Sequence, residues 1–116
     1  MKLNAVRLWV DDMDPARAFY EGVLGLRALW DHGAAVGYDL GATLIIELDD
    51  GEEDEPLVGR FTGVSIEAAD VAAAHADLVA KGVEFLQPPE TMPWGGVLAH
   101  FKDPAGNVLT LVSQPA

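Results

Sequence analysis

The chain has 116 residues, a net charge of −12 and no cysteine, and half of its residues are apolar. That length suits one domain able to bury roughly 65% of its unfolded surface. The acidity argues against nucleic acid and anionic membranes as partners, and the missing cysteines exclude disulfides and thiolate metal sites and point to a cytoplasmic location. No apolar run reaches the ~18 residues of a membrane span, and the N-terminus lacks a signal peptide's apolar core.

Residues 2–10 alternate as a strand, with Leu3, Ala5, Arg7 and Trp9 on one face and Val6, Leu8 and Val10 on the other. Asp14 reads as the N-cap of a helix with Pro15 at its first position, where a missing N–H costs nothing. The stripe Ala16, Phe19, Tyr20, Val23 and Leu24 carries that helix to Gly25, which stops it. Strands are expected near 26–31, 34–39 and 43–48, the last setting Thr43, Ile45 and Glu47 against Leu44, Ile46 and Leu48. Tyr38 belongs to the middle strand, whose register is left open because Asp39-Leu40-Gly41-Ala42 fits more than one turn. An acidic connector over 49–60 follows, with six acids before Pro56, half of the charge excess. Charges of one sign at this density read as a solvated loop, the alternative being a rim that draws in a cationic ligand.

The plan then repeats. A strand over 61–67 alternates Phe61, Gly63, Ser65 and Glu67 with Thr62, Val64 and Ile66. Asp70 caps a helix carrying Val71, Ala74, Leu78 and Val79, and Gly82 ends it. Val83–Leu86 reads as a short strand and Gln87–Pro93 as a proline-rich loop. Strands near 96–102 and 107–113 form a hairpin around Asp103-Pro104-Ala105-Gly106, where Asp, Pro and Gly each suit their turn position. With Asp103 across from Asn107, His100 falls opposite Thr110, a polar pair inside an apolar hairpin. Two β-α-β-β-β copies lie about 58 residues apart, repeat one at about 2–48 and repeat two at about 61–114. The expected fold class is α+β, in a single domain.

Phe19-Tyr20-Glu21-Gly22-Val23-Leu24-Gly25-Leu26, Gly82-Val83-Glu84-Phe85 and Phe101-Lys102-Asp103-Pro104-Ala105-Gly106-Asn107, in this order and spacing, resemble the vicinal oxygen chelate superfamily. That superfamily takes in glyoxalase I, extradiol dioxygenases, fosfomycin-resistance transferases and bleomycin-resistance proteins. The resemblance covers essentially the whole chain. It implies paired β-α-β-β-β units whose sheets curl around a ligand cleft, commonly in a homodimer. The family's enzymes hold a divalent metal through four side chains, and the resemblance places those positions on Ala5, Glu47, Gly63 and Thr110. Only Glu47 keeps a usable ligand, against the three or so that a catalytic metal needs, so no metal and no cofactor are expected. Pro93-Trp94-Gly95 ahead of the Asp-Pro-Ala-Gly-Asn turn resembles the bleomycin-resistance proteins in particular, although other members share it.

These positions share the less apolar strand faces, which carry the candidate binding residues Arg7, Trp9, Glu47, Phe61, Ser65, His100 and Thr110. Glu47 is either an anchor for a cationic ligand or one half of a structural pair with Arg7. His100 is a base, a donor to ligand, or simply bonded to Thr110. Trp9 and Trp94 are stacking candidates, with Tyr38 and Phe61 after them. The resulting expectation is a binding protein for an aromatic or cationic small molecule, of the antibiotic-sequestering type. The alternatives are a glyoxalase- or dioxygenase-like enzyme, with an atypical metal site or His100 as base, and a regulatory module with a vestigial cleft.

Overall fold

The computed structural model of the chain describes residues 1–52 and 54–115. They form two compact units, each with its own four-stranded mixed sheet and few helical residues. Among the described residues no helix is long and apolar enough to cross a membrane.

The first unit comprises Met1–Arg60 and Pro104–Asn107. Its strands are β1 (Ala5–Val10), β2 (Ala28–Asp31), β3 (Ala35–Leu40) and β4 (Ala42–Leu48), in the order β1-β4-β3-β2. Only β1 and β4 run parallel. Between β1 and β2 lie the helix α1 (Met13–Arg17) and a π-helical segment (Ala18–Val23). The N-cap is Asp12 rather than Asp14, its Oδ1 accepting the Asp14 N–H at 3.1 Å. Pro15 is therefore third in the helix, still among the opening N–H groups that have no intrahelical acceptor. The π segment arises because Leu24 N–H reaches back five residues to Phe19 O at 2.9 Å. Gly25, at φ 70°, ends the helical run as expected.

Alternation sends Leu8, Val10, Leu44 and Ile46 into the core, together with Ala16, Phe19, Tyr20, Val36 and Tyr38. Tyr20 meets Phe19 edge-on at 5.2 Å and stacks on Tyr38 at 5.9 Å. Trp30 lies over its cross-strand partner Gly37, where a Cβ would come within 2.5 Å of the indole. Glycine is needed there for close approach rather than for flexibility.

The second unit holds Phe61–Asp103 and the chain from Val108 on. Strands β5 (Phe61–Glu67), β6 (Glu90–Thr91), β7 (Val97–Lys102) and β8 (Val108–Ser113) are ordered β5-β8-β7-β6, with β5 parallel to β8. Helix α2 (Val71–Ala80) lies against β7 and β8, capped by Asp70, whose Oδ1 accepts the Ala73 N–H at 3.0 Å. Val71 and Leu78, seven residues apart, are its buried positions. Val79 was expected on that stripe but is exposed, since it stands about 100° around the helix from Leu78.

Val83–Leu86 does not form the expected regular strand. Phe85 alone bridges Phe101, supported by Leu86 N–H to His100 O and Lys102 N–H to Glu84 O, each 3.0 Å. Pro88 and Pro89, which have no N–H to donate, interrupt the pairing. It resumes along the same edge of β7 as the two-residue β6, inside the stretch expected to be loop. In β5 four residues answer to two of β8, because Phe61 pairs with Val108 and Ser65 with Thr110. Gly63 takes φ 75° in this bulge, and the Thr62 hydroxyl donates to Val108 O (2.7 Å) and accepts from Val64 N–H (3.1 Å). A surplus of two preserves side-chain parity, so Phe61 and Ser65 keep to one face.

Candidate functional site

In the first unit, the parallel β1/β4 register sets Arg7 beside Ile45 and Trp9 beside Glu47. The Arg7 side chain slants across to Glu47 as a fork. Its Nε donates to Oε1 at 3.2 Å, and Nη2 donates to both carboxylate oxygens at 3.0 Å. The guanidinium carbon sits 5.1 Å from the Trp9 ring centroid, within cation–π range. The side chains are 53% exposed for Arg7 and 31% for Glu47, so this pair is worth only about 1 kcal/mol. Its main effect is on charge, because the carboxylate that would anchor a cationic ligand already has a cation.

Trp9 is also fixed through its main chain. Asn107 Nδ2–H donates to Trp9 O at 2.8 Å, while its Oδ1 accepts Gly59 N–H at 2.9 Å and Arg60 N–H at 3.4 Å. These bonds tie the end of the acidic connector alongside β1, where Val58 bridges Trp9. Within the connector, Asp49 and Asp50 cap local turns at Gly51 and Glu52 and Arg60 pairs loosely with Glu55, as befits a solvated loop. Glu53, another of the six acids, lies outside the described residues.

Tyr38 is completely buried, and its hydroxyl donates to Glu21 Oε2 at 2.7 Å. Glu21 also accepts from Arg17 Nε at 2.8 Å, and Arg17 Nη1 reaches Asp31 at 2.7 Å. This network gives Tyr38 a packing role. Burial, and then the Glu21 carboxylate, push its hydroxyl above the ordinary tyrosine range. The bonds from Arg17 and then Tyr38 hold Glu21 below the ordinary carboxylate range.

The signs of the linked stability changes follow from these directions. A raised tyrosine contributes stability that is complete below its unfolded value, near 10, and is lost as pH rises further. A depressed carboxylate contributes stability above its unfolded value, about 4, that is lost as pH falls. The melting-temperature gap between wild type and Tyr38→Phe is therefore expected to narrow between pH 9 and 11, and that between wild type and Glu21→Gln to narrow below about pH 4. Gaps that stay constant across these ranges would show that neither group titrates differently in the folded chain.

In the second unit, Ser65, Thr110 and His100 are successive partners across β5, β8 and β7. His100 does lie opposite Thr110, with Nδ1 2.8 Å from the threonine Oγ1. The Phe61 ring stands edge-on to the imidazole at 5.3 Å and is 63% exposed. Thr110 is buried, Ser65 is exposed, and His100 Nε2 carries no hydrogen bond among the described residues. The four residues make one continuous aromatic and polar patch. Trp94 sits apart from it on the β6–β7 turn. Gly95 N–H bonds to Met92 O at 2.9 Å, and the half-exposed indole rests on Gly96. Pro93 at the second turn position and Gly95 at φ 95° explain the Pro-Trp-Gly element as turn chemistry.

The nine candidates thus fall into Arg7, Trp9 and Glu47 in one unit, Phe61, Ser65, His100 and Thr110 in the other, an isolated Trp94 and a buried Tyr38. Sequence reasoning missed Asn107 and the Arg17–Glu21–Tyr38 network. Asn107 had a signal, because an asparagine directly after a turn glycine is well placed to bond to main chain.

The model of the Glyoxalase/Bleomycin resistance protein/Dioxygenase superfamily matches residues 2–111. The chain belongs to this superfamily. YraH of Bacillus subtilis (strain 168), an uncharacterised protein, is 31% identical over 125 residues, covering 96% of this chain and 97% of that one. A superfamily member from Sphaerobacter thermophilus DSM 20745 superposes with a TM-score of 0.82 at 30% identity, covering 98% of both chains. TnmS3, an antibiotic binding protein from Streptomyces sp. CB03234, gives a TM-score of 0.79 at 31% identity, over 100% of this chain and 97% of that one.

The superfamily's enzymes hold a divalent metal, and the residues here do not fit one. Glu47 is forked to Arg7, Gly63 sits in a bulge at a φ that side chains rarely adopt, and the Thr110 hydroxyl is bonded to His100. Among the described residues no three His, Cys, Asp or Glu side chains are grouped to hold an ion. The four positions thus fall short of the three or so protein ligands that a catalytic metal takes.

Proposed function

We propose that this superfamily member is a small-molecule-binding protein that captures an aromatic natural product, in the manner of the antibiotic-sequestering relatives. The observation that carries the reading is the donor set. At the four positions where relatives grip a metal, this chain has a methyl group, a glycine, a bonded hydroxyl and a carboxylate already matched by arginine. The remaining polar groups are few, and they stand beside Trp9 and Phe61, as a site that orients an organic ligand requires. TnmS3, whose name declares antibiotic binding, supports the reading through its 31% identity over the full chain. The Arg7–Glu47 pair favours the aromatic half of the expectation over the cationic half. A homodimer and a cytoplasmic location belong to the same proposal.

The test is calorimetric titration of the purified chain with bleomycin and a panel of polycyclic aromatic antibiotics, together with elemental analysis and sedimentation. At least one aromatic antibiotic is expected to bind saturably, with Trp9→Ala weakening it about ten-fold, as loss of a stacking partner and its buried area implies. No saturable binding across the panel overturns the proposal. So does stoichiometric nickel, zinc, manganese or iron that disappears together with a lyase or oxygenase activity in Glu47→Gln.

A further inference from the structure

We propose that the Arg7–Trp9–Glu47 group selects ligands by an oxygen acceptor, a carboxylate or carbonyl on a flat aromatic frame, and discriminates against a cationic group at that position. The inference rests on the binding-protein reading above and adds the chemistry of what is bound.

A guanidinium has five N–H donors in a rigid plane. Three bonds to Glu47 occupy Nε and Nη2, and among the described residues no hydrogen bond involves Nη1. The two N–H donors of Nη1, which diverge within the guanidinium plane, are therefore left on a side chain that is more than half exposed. They are also held in position. The fork to Glu47 fixes the plane and the Trp9 ring flanks it, so little rotamer freedom remains to be lost on binding. Glu47 is the opposite case, because its two oxygens already accept three bonds and retain little capacity for a ligand's ammonium group.

The electrostatics point the same way. The pair is neutral as a unit, so it attracts neither sign from a distance, and contact geometry decides. At contact, an acceptor meets free N–H groups, whereas a cation stacking near Trp9 meets a guanidinium already within 5.1 Å of the same ring. The chain's net charge of −12 disfavours an anion at long range, but screening confines that effect to about 8 Å at physiological salt.

Three tricyclic probes of similar shape test this with the full chain: anthracene-9-carboxylate, the uncharged 9-anthracenemethanol and the cationic 9-aminoacridine, each titrated calorimetrically. The carboxylate is expected to bind about ten-fold tighter than the acridine, as one charge-assisted hydrogen bond implies. Arg7→Met should abolish that preference, and the uncharged probe, whose hydroxyl is a weaker acceptor, should lose less affinity than the carboxylate. Glu47→Gln keeps an acceptor for the fork but unmasks the arginine's charge, so it should tighten the carboxylate by a few-fold. A purely structural pair would make both variants weaken every probe alike. The proposal is overturned if the acridine binds tighter, if Arg7→Met leaves the preference intact, or if Glu47→Gln weakens the carboxylate. Binding of all three probes without preference overturns this inference and leaves the capture of aromatics standing. Binding of none overturns both.

Discussion

Replacing Asn107 with leucine is expected to lower the melting temperature by roughly 12 °C. The residue is 1% exposed and makes three main-chain bonds, to Trp9 O, Gly59 N–H and Arg60 N–H. Leucine matches its volume and restores none of them. Trp9 O is left without its donor, while the two N–H groups, on exposed residues, recover part of their loss from water. The net cost is about 3 kcal/mol, and each kcal/mol is worth about 4 °C for a domain of this size. Asn107→Asp separates the contributions, since it keeps the acceptor for Gly59 and Arg60 and turns a carboxylate towards Trp9 O. Thermal denaturation of the three proteins decides the matter, and a leucine variant within 4 °C of wild type would mean that these bonds are not what holds the connector in place.

Gly96→Ala should cost about 2–3 kcal/mol and move Trp94 at the same time. A Cβ at this buried position would overlap the indole of Trp94 and come within 2.5 Å of Ser113 O. The indole has room to swing away because it is half exposed. The carbonyl does not, because Ser113 is paired with Val97 at the start of the β7–β8 ladder. Overpacking against fixed backbone costs about 1–3 kcal/mol, and the displaced indole loses its contact surface besides. The readouts are a lower melting temperature and a red-shifted tryptophan emission, the latter absent when the substitution is made in a Trp94→Phe background. An unshifted emission with unchanged stability would show that the hairpin accommodates the methyl group freely.

How much of this was legible in the chain depended on the range of the interaction concerned. Strand positions were readable because alternation is local, and the His100–Thr110 pairing because a short turn fixes its own register. The α2 boundaries followed from Asp70 and Gly82 for the same reason. The helix between β1 and β2 was found, but neither its π character nor its cap, because a 3.6-residue period does not register one wide turn and both Asp12 and Asp14 suit a cap. β6 was missed because two paired residues flanked by prolines leave no periodic trace.

Of the candidate site, residue identities were accessible and the Arg7–Glu47 and His100–Thr110 pairs stood among the alternatives, but the choice between a structural pair and a ligand anchor was not legible. Arg7 and Glu47 were both placed on one face, yet nothing local distinguishes a carboxylate awaiting a ligand from one forked to an arginine forty residues away. Tyr38 sat beside an unreadable turn, and its bond to Glu21 depends on the helical segment that periodicity misjudged. The donor count at the four metal positions rests on residue identities placed by the family resemblance, and needs no knowledge of partnerships.

The broken outer edge of β7 has a consequence for solubility. A sheet with a long, straight, unpaired border can recruit strands from other molecules and grow into aggregates. Here that border is divided into the single bridge at Phe85 and the two residues of β6, with Pro88 and Pro89 between them. Neither fragment offers enough consecutive donors and acceptors to template an incoming strand. The same irregularity that hid β6 from the sequence is thus a guard against sideways polymerisation, and straightening it by removing the prolines would trade that protection for a longer ladder.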